Sequence, residues 1–190
     1  MCKSLNQLGE VYLLCADGNG NENKDNINII DVGKFHHRLL RAWFSVNKIY
    51  KRAFELNADI YHLHDPELIR IGLKLVKRGK KVIFDSHELV GDQILSKHYI
   101  PKFLRHIISR VYNFYEKNSL PKFSGLIAAT LYIRDHLKKN NNNTIDICNY
   151  PILNNEIIQN SNEVKSFNDN HSICYVGVIT KKRGIKELVK

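Results

Sequence analysis

Short apolar runs alternate along the chain with stretches whose apolar residues recur at helical spacing. The short runs predict strands at residues 10–16, 27–32, 60–63, 81–84, 126–129 and 144–148. The amphipathic stretches predict helices at residues 39–56, 66–77, 103–115 and 131–139. Strands that alternate with helices in this way predict an α/β fold, a Rossmann-like parallel sheet with flanking helices.

The domain organisation follows from where this pattern is interrupted. Residues 1–153 carry the strand and helix pattern, and residues 154–170 are polar and rich in Asn, which predicts a linker. Residues 171–190 then read as the strand, loop and helix start of a second domain. The chain opens on helical residues with no strand before them and closes inside a strand-loop-helix unit. We therefore expect a fragment whose first strand is missing.

Composition narrows the class of protein without selecting a partner. The apolar fraction is 43%, which excludes a disordered chain, and no apolar run approaches the length of a membrane span. The net charge of +10 favours phosphate-bearing substrates or anionic lipid surfaces. The four cysteines show no metal-binding spacing, so a reducing cytoplasm is the simplest compartment. We expect no nucleic-acid partner.

Polar clusters follow two of the predicted strands. The first contains His62, His64, Asp65 and Glu67, and the second contains Asp85, Ser86, His87 and Glu88. In open α/β sheets ligands bind at the carboxyl ends of strands, and buried carboxylates need partners. These residues are therefore candidates for a substrate cleft.

A third candidate is the basic loop at residues 177–184. It lies between a predicted strand and a predicted helix and contains Gly177, Arg183 and Gly184. A glycine-containing loop before a helix offers backbone N–H groups to a phosphate, and an arginine adds positive charge.

The order of these motifs resembles glycosyltransferase family 4, whose members have the GT-B fold, and in particular its polysaccharide-biosynthesis branch. The residues that carry the resemblance are H-D-P-E-L at 64–68, D-S-H-E at 85–88, I-A-A-T at 127–130, N-Y-P at 149–151, and C-Y-V-G at 174–177 with R-G at 183–184. The first 153 residues correspond to the acceptor-side domain, and residues 171–190 correspond to the start of the nucleotide-sugar-binding domain.

The resemblance implies a retaining transferase that moves a sugar from a nucleotide donor to a lipid-linked or saccharide acceptor, in cell-surface polysaccharide or glycolipid biosynthesis. By position, His87 faces the transferred sugar, with His64, Asp65, Glu67, Asp85 and Glu88 in the substrate cleft. Gly177, Arg183 and Gly184 hold the donor phosphates. The family needs neither a metal nor a cofactor.

The sequence also departs from the family pattern. Val178 stands where many members have Arg, and neither the first strand with its glycine-rich loop nor the later paired-glutamate motif is present. Because the donor domain is largely absent, we expect the chain alone to be inactive.

Two other interpretations remain open at this stage. A metal-dependent hydrolase could use His62, His64 and Asp65, because His62 and His64 share one face of a strand. A non-enzymatic remnant of a split or truncated gene would also explain the missing segments.

The segment Lys97–Lys117 combines an apolar helical face with basic flanks. It could rest on an anionic membrane surface, which would place the protein at the inner face of the membrane. The alternative is a core helix with a solvated basic edge.

Overall fold

The structure is a computed structural model that describes residues 2–34, 46–148 and 150. The chain divides into two compact units, Met1–Asn149 and Tyr150–Lys190. All described residues except Tyr150 belong to the first unit. The predicted linker at 154–170 and the predicted second domain at 171–190 lie outside the described residues.

A three-stranded sheet stands near the N-terminus. It contains β1 (Val11–Cys15), β2 (Glu22–Lys24) and β3 (Ile27–Asp31) in the order β1-β3-β2. Strands β1 and β3 run parallel, whereas β2 and β3 form an antiparallel hairpin. Asp25 and Asn26 form its turn with positive φ angles of 55° and 61°, a conformation that Asp and Asn tolerate better than most residues.

A second, all-parallel sheet contains β4 (Ile60–Leu63), β5 (Lys81–Ser86), β6 (Gly125–Ala128) and β7 (Thr144–Asp146), in that order. Its register pairs Leu63 with Phe84 and Ser86 with Ala128, so the strand ends lie along one edge. This four-stranded parallel sheet confirms the predicted α/β class and is consistent with a Rossmann-like domain of the GT-B type.

Six α-helices accompany these strands in the described parts of the chain. They are α1 (Cys2–Leu5), α2 (Val46–Leu56), α3 (Ile69–Val76), α4 (Val90–Leu95), α5 (Lys102–Ser119) and α6 (Leu131–Leu137). Short 3₁₀ turns at Pro66–Leu68 and Leu120–Lys122 precede α3 and follow α5. None of these helices combines the length and apolar character that crossing a bilayer requires.

The two faces of the parallel sheet differ in burial. Alternate residues of the strands point to one face and form the core together with α3 and α6. The strands contribute Tyr61, Leu63, Val82, Phe84, Leu126 and Ala128, and the helices contribute Ile69, Leu75, Ile133 and Leu137. The opposite face is more open, since Ile60 and Ile145 are 56% and 54% exposed. By the same alternation His62 and Asp85 belong to this more open face.

Within the described residues, one strand and one α-helix went unpredicted. The strand β2 has no apolar residue and is wholly exposed, so hydrophobic periodicity could not reveal it. The helix α4 is only six residues long and lies beyond the second polar cluster. The predicted helix at 39–56 is confirmed over Val46–Leu56, and its first residues lie outside the described part.

Candidate functional site

The ends of β4 and β5 bring the two predicted polar clusters together. These strands pair in parallel up to Leu63 and Phe84, and His64 and Asp85 are the next residues of each. Because side chains alternate along a strand, His62 and His64 lie on the face opposite to Tyr61 and Leu63. The apolar residues of β4 thus anchor the strand in the core and leave its histidines on the other face.

The carboxylate of Asp85 is the centre of the site. One oxygen, Oδ2, lies 3.4 Å from Nε2 of His62 and 3.4 Å from Nδ1 of His64. The other oxygen, Oδ1, lies 3.7 Å from Nε2 of His87. Asp85 is only 7% exposed, so this carboxylate is buried beneath three imidazole rings.

The three rings lie side by side. The rings of His62 and His64 are stacked with their centroids 4.5 Å apart, and those of His64 and His87 are 5.9 Å apart. Exposure of the side chains increases along this row, from 18% for His62 to 39% for His64 and 47% for His87. A ligand arriving from solvent would therefore meet His87 and His64 first.

The electrostatics of the cluster follow from its burial and its mixture of groups. Burial raises the pKa of Asp85, but the three neighbouring histidines outweigh burial and leave that pKa below its ordinary value. Burial, with electrostatic repulsion from His62, lowers the pKa of His64. At neutral pH the site therefore holds an ionised carboxylate next to a neutral His64.

The remaining predicted cleft residues lie further out. Asp65, Glu67 and Glu88 are exposed. The backbone carbonyl of Asp65 accepts a hydrogen bond from the N–H of Leu68, which begins the 3₁₀ turn, and the negative charge of Asp65 acts on His64. The hydroxyl of Ser86 donates to the carbonyl oxygen of Glu88 at 3.1 Å, which holds the loop after β5.

The structure groups the possible metal ligands differently from the way the hydrolase interpretation does. The group of ligand atoms that could hold a metal combines His62 and His64 with Asp85, not with Asp65. The signal for this grouping was present in the sequence, because His62 and His64 share a face and a second parallel strand ends at Asp85. Which two strands are neighbours was the missing fact.

The predicted donor-phosphate residues Gly177, Arg183 and Gly184 lie outside the described residues. Their role stays a prediction.

Comparison with known proteins agrees with the resemblance noted in the motifs. The sequence profile described as Glycosyltransferase Family 4 matches residues 1–147. The comparison with curated proteins gave no match. The matched segment includes both strand ends, all three histidines and Asp85, and it spans more than three quarters of the 190 residues. The chain therefore belongs to glycosyltransferase family 4.

Proposed function

We propose that this protein takes part in a retaining transfer of a sugar from a nucleotide donor to a lipid-linked or saccharide acceptor, in cell-surface polysaccharide or glycolipid biosynthesis. The observation that carries the proposal is the buried carboxylate of Asp85 beneath three histidines at the ends of β4 and β5. Membership of glycosyltransferase family 4 supports a nucleotide-sugar donor and an acceptor. The branch resemblance of the motifs supports the surface-polysaccharide pathway.

In this proposal His87 is the residue that faces the transferred sugar. Nearly half of its side chain is exposed, so the ring is accessible to a substrate. Its Nε2 atom lies 3.7 Å from Asp85, whose buried negative charge favours one orientation of the imidazole. Asp85 is then a positioning residue, because it acts through His87.

The proposed binding of the nucleotide-sugar donor depends on residues of the second unit, Tyr150–Lys190. Gly177, Arg183 and Gly184 would bind the diphosphate of the nucleotide sugar through backbone N–H groups and a guanidinium. Fixed positive charge of this kind stabilises the diphosphate as it leaves.

The surface of α5 supports an acceptor that resides at a membrane. Its apolar residues face outward and are between 41% and 73% exposed, namely Phe103, Leu104, Ile107, Ile108, Val111 and Phe114. The buried residues of the helix are instead Ser109, Glu116 and Ser119. The expected apolar face exists, but in the described structure the core does not cover it.

The charge of α5 supports an anionic lipid surface as the partner of this apolar face. Lys102, Arg110 and Lys117 are exposed on α5, whereas Glu116, the only acid in the helix, is buried. Interfacial helices combine an apolar face with basic residues that meet lipid phosphates. We infer that α5 rests on the inner, cytoplasmic face of a membrane, where a lipid-linked acceptor would be within reach.

The proposal is tested in the cell that makes the protein. The His87 codon of the native gene is changed to Ala, and surface polysaccharide and glycolipid are quantified by gel and linkage analysis. Membrane lysates are assayed in parallel for transfer of radiolabelled sugar from a panel of nucleotide sugars. We expect transfer to fall by about 100-fold or more, the effect typical of losing a polar group that contacts the reacting sugar in the transition state.

The control is His136→Ala, a half-exposed histidine outside the cluster. Thermal unfolding of both purified variants checks that they fold. Wild-type polysaccharide levels in the His87→Ala strain, with a folded variant, would refute the proposed role.

A further inference from the structure

The buried carboxylate of Asp85, which orients His87 in the proposed function, also converges with two further histidines, His62 and His64. His62, His64 and Asp85 each offer one ligand atom, and these three atoms lie within 4.8 Å of one another. His62 and Asp85 lie in two adjacent strands of the parallel sheet, and His64 directly follows the first of these strands. Strand pairing therefore sets the positions of His62 and Asp85.

The distances fit metal coordination better than hydrogen bonding. A charge-assisted N–H to carboxylate hydrogen bond spans about 2.7–2.9 Å. The contacts from Asp85 to His62 and to His64 are both 3.4 Å. Two ligands of a tetrahedral Zn²⁺, each about 2.0–2.1 Å from the ion, are separated by about 3.3 Å. Both contacts match that tetrahedral edge.

The burial of His62 also favours a bound metal ion. Its Nε2 atom is buried, and the 3.4 Å contact of this atom with Oδ2 of Asp85 does not have hydrogen-bond geometry. A buried polar atom without a partner is costly and rare. A cation held between Nε2 of His62 and Asp85 would give that nitrogen a partner and would balance the buried carboxylate.

We propose that His62, His64 and Asp85 form a binding site for a divalent transition metal of the Zn²⁺ class. Two imidazole nitrogens and a carboxylate favour Zn²⁺, Co²⁺ or Ni²⁺ over Mg²⁺ and Ca²⁺, which prefer oxygen ligands. Three protein ligands would leave the fourth position of a tetrahedral ion open for water. This goes beyond the proposed sugar transfer, in which no metal takes part.

Cys15, Asp17 and Asp31 also bring three possible metal-ligand atoms together. There the carboxylate of Asp31 already accepts hydrogen bonds from the N–H groups of Gly18, Gly20 and Gly33. Asp17 similarly accepts from Asn19. These contacts explain that cluster as an anchor for the loop after β1, so Cys15 serves as the control.

The test is metal binding by the whole 190-residue chain, with no sugar substrate present. Protein stripped with a chelator is titrated with Zn²⁺ by calorimetry and with Co²⁺ by visible absorption. We expect one ion per chain, intense Co²⁺ bands typical of tetrahedral coordination, and a thermal midpoint that rises with Zn²⁺ because the ion binds only the folded state.

Variants assign the ion to the site. His62→Gln and Asp85→Asn should each weaken Zn²⁺ binding by at least about tenfold and reduce the thermal shift. His64→Gln, at a more exposed position, tests the site if either buried variant fails to fold. Cys15→Ser and His136→Gln should bind like the wild type.

Either of two results would overturn the proposal. One is the absence of Zn²⁺ binding by the folded wild type. The other is binding that survives in His64→Gln and Asp85→Asn, or that depends on Cys15. Neither result bears on sugar transfer, so this proposal and the proposed function fail separately.

Discussion

The buried hydroxyl of Ser109 donates a hydrogen bond to the carbonyl oxygen of Gly91, with 2.9 Å between the two oxygens. This contact joins α5 to α4, the helix that begins directly after the loop carrying His87 and Glu88. The helix with the exposed apolar face is therefore packed against the element that follows the candidate site.

Substitution of Gly91 by Ala should loosen this packing. A Cβ atom at Gly91 would lie 2.7 Å from Cγ of Asn113, which is closer than side-chain atoms pack. Because Asn113 is exposed and its side chain can rotate, we expect Gly91→Ala to lower the free energy of unfolding by no more than about 1 kcal/mol. Urea denaturation measures it. The double variant Gly91→Ala/Asn113→Ala should recover most of the loss, and equal losses in single and double variants would contradict the packing explanation.

Gly72 offers a second test of packing, on the core side of the parallel sheet. A Cβ atom there would lie 2.7 Å from Cδ1 of Leu63 and 2.8 Å from Cζ of Phe123. Both side chains are buried and cannot move freely, so Gly72→Ala should destabilise the fold by about 1 kcal/mol or more despite the better helix propensity of Ala. The matched control is Gly9→Ala, where a Cβ atom meets nothing within 4 Å. A Gly72→Ala variant as stable as Gly9→Ala would show that this contact is not tight.

The buried Glu116 should make stability depend on pH. Burial, together with the negative charge of Asp92, raises the pKa of the Glu116 carboxyl above its ordinary value of 4.5. The folded state therefore holds this proton to higher pH than the unfolded state does. Its contribution to stability is full below pH 4.5 and is lost as the pH rises through the raised pKa.

Glu116→Gln should remove this dependence, because the amide has no charge to bury. We expect the variant to gain stability relative to the wild type as the pH rises from 4.5 toward neutral. Urea denaturation at a series of pH values measures the difference. Glu22→Gln, at an exposed position of β2, is the control and should show no such trend. A constant difference between Glu116→Gln and wild type across this range would contradict the assigned burial effect.

Membrane binding by α5 should depend on both its apolar and its basic residues. Phe103→Ser/Phe114→Ser removes two aromatic rings that are 73% and 72% exposed. We expect at least tenfold weaker sedimentation with anionic liposomes, since each ring contributes on the order of 1 kcal/mol or more when it enters the interface. Lys102→Glu/Arg110→Glu should have a similar effect on anionic liposomes, at about 1 kcal/mol per charge.

The liposome experiment has two internal controls. Leu8→Ser changes a residue that is 86% exposed and lies outside α5, and it should bind like the wild type. Added salt should weaken binding to anionic liposomes because it screens the charges. Binding that ignores lipid charge and salt would contradict the electrostatic part of the proposal.

The sequence predicted most of the parallel sheet, because its strands are short apolar runs that periodicity detects. It placed the strands now seen at Ile60–Leu63, Gly125–Ala128 and Thr144–Asp146 within two residues of their observed limits. It missed β2, whose residues are all polar and whose pairing depends on a turn at Asp25 and Asn26. It also left open whether the apolar face of α5 is buried, since amphipathicity shows that a face exists and not what covers it.

For the candidate site too, the sequence determined one part and the tertiary structure another. The sequence by itself determined which residues carry chemistry, because histidines and carboxylates directly after apolar runs stand out, and their order identified the family. Only the tertiary structure decided their partners. His62 and Asp85 are 23 residues apart in the sequence and 3.4 Å apart in space, because β4 and β5 pair in parallel and a helix connects them. Strand neighbours are chosen by burial of the whole sheet rather than by local sequence, and for that reason Asp85, not the adjacent Asp65, lies beneath the histidines.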